Sequence, residues 1–175
     1  YKRFLPHINN NHDFAEALGE LLGELNASHT GARYYGYNRA PQTAALGAFY
    51  DPEYKGDGLK IKEVIEKGPL NNAKTKIKAG VIIEKINNQP IKAGEHYFGL
   101  LNNQSGKRIY LSLYNPTTKE RWSEYVKPIS QGTQNGLLYD RWVKQRKELV
   151  EKLSDGKIGY VHIKGMNSQS FREIY

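Results

Sequence analysis

Between Pro41 and Ile129 the chain is cut into short apolar runs by turn residues, and that punctuation limits the fold more than any other feature. The runs are "LGAFYD" (46–51), "GLKIKEVI" (58–65), "GVIIEKIN" (80–87), "KRIYLSLYN" (107–115) and "RWSEYVKPI" (121–129). Each has a strand's length, and "KGDG", "KGP", "NNQP" and "NPTTKE" separate them with turn chemistry. In the fourth run Ile109, Leu111 and Leu113 alternate with Tyr110 and Ser112, as on a half-buried strand. "AGEHYFGLLNNQSG" between the third and fourth runs reads as a short helix, with Tyr97, Leu100 and Leu101 toward a core. Five short strands and so little helix predict a small barrel-like β domain.

Helices flank it. In "HDFAEALGELLGELNAS", Phe14, Leu18, Leu21, Leu22 and Leu25 fall on one face of a 3.6-residue period, with Glu16, Glu20 and Glu24 opposite. Asp13, or an asparagine just before it, is the expected cap, and Asn26 and Gly31 break the pattern. Ser28 and His29 are left in the exit loop, and the apolar face requires a partner surface. After the polar linker "SQGTQNG" comes a second helix, "LYDRWVKQRKELVEKL" (138–153), with Tyr139, Trp142, Val143, Leu149, Val150 and Leu153 on one face. "KIGYVHI" (157–163) reads as a strand, and "MNSQSFREIY" as the start of a helix in which Ser170 and Glu173 fit a capping box. So short a final helix buries little, and the chain is expected to be part of a longer one. The fold class is α+β in three segments: a helical segment over 1–40, the β domain over 41–130, and over 131–175 a linker helix with the first strand of an α/β domain.

Composition narrows the chemistry. With no cysteine there is no disulfide framework, Cys-ligated zinc or thiol nucleophile. His7, His12, His96 and His162 have no ligand spacing, so neither metal nor cofactor is expected, and His162 reads as a satisfied polar residue. The formal charge of +8 favours acidic partners, but the lysines are scattered among glutamates and make no block of like charge, so no nucleic-acid partner is expected. No apolar run reaches the ~20 residues of a membrane span, and "YKRFLPHINNN" lacks the apolar core of a signal peptide.

The stretch from "ALGAFYDPEYKG" to "KAGVIIEKINNQPI" resembles a bacterial-type PDZ domain, through its "LGA" opening, "GLKIKEVIEKGPL" and "IKAGVIIEKINNQPI". It departs at Val81, where most relatives carry Asp, and at Asn88, often Gly. The resemblance implies a peptide captured as an added strand, its terminal carboxylate held by the backbone N–H groups of Leu46, Gly47 and Ala48. The groove would lie between the strand bearing Phe49 and the helix around 96–101, with His96 and Leu100 facing it.

With "DFAEALGELLGELNASHTGARY" before this segment and "YDRWVKQRKELVEKLSDGKIGYVHIKGMNSQSF" after it, the chain resembles the tricorn protease family of C-terminal-processing-type serine peptidases. In that family the histidine of the "SH" pair is the general base for a serine nucleophile, which carries over to His29, with Ser28 in the same relay. Imidazole titrates near neutral pH, and a serine attacks poorly without such a base. The resemblance places the nucleophile downstream of "GYVHIKGM", and none of the serines here sits in G-x-S-x-G. These residues alone are therefore expected to be inactive. The implied partners are peptides or protein C-termini, the remainder of the catalytic domain and further copies of the chain, since tricorn relatives form rings. The implied location is the cytoplasm, with the periplasm or cell envelope as the alternative. A second reading of the same residues is a non-catalytic PDZ-containing scaffold.

Overall fold

The computed structural model describes residues 1–36 and 40–172. They form two compact units, Tyr1–Ala40 and Pro41–Tyr175.

In the first unit a 3-10 turn, Lys2–His7, precedes α1, Asn11–Gly23. Asn10 is the cap: its side-chain oxygen accepts from the N–H groups of His12 at 2.8 Å and Asp13 at 3.0 Å. Asp13 accepts the Asn9 N–H at 3.0 Å, and its charge favours the helix N-terminus. The apolar stripe of α1 stays largely in solvent, with Phe14 52% and Leu21 45% exposed, and no residue of the helix is buried.

The second unit holds the core. Its strands are β1 (Ala48–Tyr50), β2 (Leu59–Val64), β3 (Ile82–Ile86), β4 (Gln89–Pro90), β5 (Ile109–Tyr114) and β6 (Arg121–Val126). All pair antiparallel in the order β1-β2-β3-β5-β6, with β4 as a short partner of β3. Ile61, Leu70, Ile83, Leu111 and Leu113 are fully buried in the middle. Burial alternates along β5 as its sequence predicts. Asn87 and Asn88 turn the β3–β4 hairpin at φ +48° and +65°. Asparagine tolerates that left-handed geometry better than most other side chains.

The ends of the sheet are drawn together. Ala45 donates to the Ile129 carbonyl at 2.7 Å, and Ile129 donates back at 2.9 Å, so the segment before β1 pairs with the chain after β6. This closure gives the unit its barrel-like character.

Helical content differs from expectation in two places. The 93–106 segment forms only a 3-10 turn, Phe98–Leu101; Gly94 lies at φ +77° and Asn102 is already extended. The "SQGTQNG" linker is instead the start of α2, Gln131–Leu153, capped by Ser130, whose hydroxyl accepts the Thr133 N–H at 3.0 Å. Two glycines and an asparagine lower its propensity and disguise it as a linker.

"KIGYVHI" makes no strand, because no described residue offers it a ladder partner. His162 bonds instead to the hydroxyl of Tyr139 on α2 and lies 3.3 Å from that of Tyr160. α3, Ser168–Arg172, is capped by Asn167, which accepts from Gln169 and Ser170; Ser170 lies inside the helix, and Glu173 of the expected capping box lies outside the described residues. Among the described residues no helix is long and apolar enough to cross a membrane.

Candidate functional site

Two places carry the predicted residues, one in each unit. Past α1 the chain is still winding: Leu25 and Asn26 donate to the carbonyls of Leu22 and Gly23. Asn26 then adopts φ +46° and His29 φ +65°. Thr30 closes the turn by donating its hydroxyl to the Ala27 carbonyl at 2.9 Å. Ser28 and His29 are both exposed, and among the described residues no hydrogen bond reaches either side chain. A non-glycine residue at positive φ is uncommon, and such strain concentrates at functional positions. An imidazole on a tight turn with unpaired nitrogens is chemically competent to accept a proton.

The second place is the turn into β1. Gly47 lies at φ +73°, and a Cβ there would stand 2.6 Å from Pro69 Cδ. Glycine is thus required by backbone conformation and by the close approach of the Gly68–Pro69 turn. Leu46 and Ala48 are buried, so their side chains belong to the core and only their backbone faces outward.

The Gly47 carbonyl accepts from Ile65 and the Asp51 N–H donates to Lys60, both at 2.8 Å. The Gly47 carbonyl and the polar groups of residues 49 and 51 therefore face β2, while the Gly47 N–H points to α2. Alternation points those of Ala48 and Tyr50 toward the opposite edge, where no described strand pairs.

Along that edge runs a cleft of about 170 Å³, bordered by Ala48, Phe49, Tyr50, Phe98, Leu101 and Gln134. Tyr50 and Tyr97 meet edge to face at 5.8 Å, and burial, more than the neighbouring phenol, pushes the Tyr50 hydroxyl well above the ordinary tyrosine range. The cleft floor is therefore uncharged.

His96 and Leu100 do not border this cleft. They line a separate depression with Pro90, Ile91 and Lys92. At three residues per turn Phe98 and Leu101 share the face toward β1; Leu100 lies off that face, and Tyr97 stands between, bordering both depressions.

Sequence reasoning also missed Gln134, whose side-chain oxygen accepts the Gly47 N–H at 3.0 Å across 87 residues of chain. Further along α2, the Arg141 guanidinium lies 5.6 Å from the centre of the Phe49 ring and pairs with Glu63. Lys144 stands 3.8 Å from Glu66. Positions 134, 141 and 144 recur on one helical face, so α2 borders the β1–β2 edge through polar side chains.

No family model matches the chain. It is 25% identical over 185 residues to a tricorn protease homolog of Saccharolobus solfataricus, a match that covers all of this chain and 17% of the relative. Tricorn protease homolog 1 of Streptomyces coelicolor is 24% identical over 183 residues, and the tricorn protease of Thermoplasma acidophilum 22% over 185, each again across the whole chain. The crystal structure of the tricorn protease superposes on 99% of the chain with a TM-score of 0.75 at 18% identity. Over its whole length the chain is similar to proteins named as tricorn proteases. The mixed fold with its antiparallel six-stranded sheet resembles the tricorn protease. The chain spans about a sixth of its relatives' length, 17% for three of them.

Proposed function

We propose that this chain is the segment of a tricorn-type serine peptidase that supplies the general base, His29, beside Ser28, together with a PDZ-like module that binds peptide or protein C-termini along β1. The observation that carries the reading is the whole-chain similarity to proteins named as tricorn proteases. The exposed imidazole at φ +65° agrees with it. In hydrolysis His29 takes the proton of a serine hydroxyl as that oxygen attacks the scissile carbonyl, then returns it to the departing amine. The serine comes from the rest of the parent protein, so residues 1–175 do not cleave peptides by themselves. The β1 edge holds a peptide by main-chain hydrogen bonds, with Phe49, Phe98 and Leu101 beside it.

The test is peptide hydrolysis by the parent protein carrying His29→Ala. Loss of a general base lowers kcat by roughly a thousandfold or more, with KM little changed. Undiminished turnover removes His29 from the mechanism and leaves these residues as a peptide-binding part of the peptidase. A parent protein without hydrolysis even when His29 is intact leaves the second reading, a non-catalytic peptide-binding scaffold, which the β1 cleft favours.

A further inference from the structure

The turn proposed to hold a terminal carboxylate already has an acceptor on it. The Gly47 N–H points at the Gln134 side-chain oxygen, and Gln131 and Gln134 both border the cleft beside β1. At about 170 Å³ the cleft is smaller than the ~300–1,000 Å³ of ordinary ligand pockets. The carboxamide oxygen of Gln134 is an sp² acceptor with the reach of a carboxylate oxygen, but it is neutral. We propose that Gln134 is a built-in occupant of the β1 groove, standing where a peptide's terminal carboxylate binds, so that a peptide must displace it. This rests on the reading of β1 as a peptide-binding edge and adds its regulation.

Two features suit the contact to a gate. The first turn of α2 is well placed: Ile129 is bridged to Ala45, Ser130 caps the helix, and Gln134 follows one turn later. Gln134 can nevertheless leave by rotating its side chain, with that backbone undisturbed. The rest of α2 holds the groove only loosely. No residue of α2 is buried, and its remaining links to the rim are Arg141 over Phe49 and the surface ion pairs to Glu63 and Glu66. Such pairs add little stability. A self-occupied groove has an apparent Kd raised by the inverse of the fraction open.

The experiment uses the whole chain and fluorescein-labelled ten-residue peptides ending in valine, with a free or an amidated C-terminus. Affinity is read by fluorescence polarisation, and the Gly47 amide is followed by NMR hydrogen exchange. Gln134→Ala should bind the free-carboxylate peptide about tenfold tighter than wild type, since one hydrogen bond is no longer in competition, and its Gly47 amide should exchange faster.

Gln134→Glu keeps the side chain's shape and makes it an anionic acceptor near a helix N-terminus. It should bind that peptide more weakly than wild type. The amidated peptide should show no gain with either variant. Equal affinity of wild type and Gln134→Ala for the free-carboxylate peptide overturns the proposal while the groove reading stands. If neither peptide binds any of the three proteins, even with the Gly47 amide released in Gln134→Ala, the groove reading fails and takes the proposal with it.

Discussion

A methyl group on Gly47 would stand 2.6 Å from Pro69 Cδ, at a φ of +73°. Both faults cost stability, so Gly47→Ala should lower the unfolding free energy by about 3 kcal/mol. Urea denaturation followed by tryptophan fluorescence measures this, and an unchanged midpoint would show that the turn has room to give. The glycine is visible in the sequence as part of "LGA", but its cause is not. The sequence suggests an open approach for a ligand, whereas the neighbour that forbids a side chain is Pro69, 22 positions on. Gln134 was less legible still. Nothing local marks a glutamine as the partner of a backbone N–H 87 residues earlier. His29 is singled out in the sequence only by the resemblance around "ELNASH", and its positive φ became visible only in the turn.

Strands and helices differ in how they are held, and the difference is measurable. β5 is central, paired on both sides, with Ile109, Leu111 and Leu113 buried. α2 has 23 residues and none buried, with Leu149 41% and Leu153 78% exposed. Amides of residues 145–153 should therefore exchange at least a hundredfold faster than those of β5, a gap of only ~2.8 kcal/mol in opening free energy. Equal protection would mean that α2 folds as one unit with the sheet. Elements were legible where one pattern decided them. The alternation in 107–115 marks β5, and the period of 14–25 marks α1. The reading went astray where side-chain pattern competed with backbone preference. Glycines hid the first turns of α2, and a 3-10 turn replaced an α-helix at Phe98–Leu101, so that Phe98 and Leu101 border the cleft beside β1 while His96 and Leu100 line another depression. "KIGYVHI" has strand composition, but a strand exists only with a neighbour.

Across the whole chain the buried core lies between Ala44 and Val126, and no described residue of the first unit is buried. The two units should not unfold together. On heating, part of the far-UV helical signal should be lost before the fluorescence of Trp122, which packs against the core. A single coincident transition by both probes would refute independent units. The double hydrogen bond between Ala45 and Ile129 has a further consequence. It brings the doorway and the exit of the β module to one spot, so the 83 residues between them hang from the chain like a locket from a clasp. A part attached this way can be transplanted into a surface loop of an unrelated host, or lost from a lineage, without prying apart the sequences that flank it.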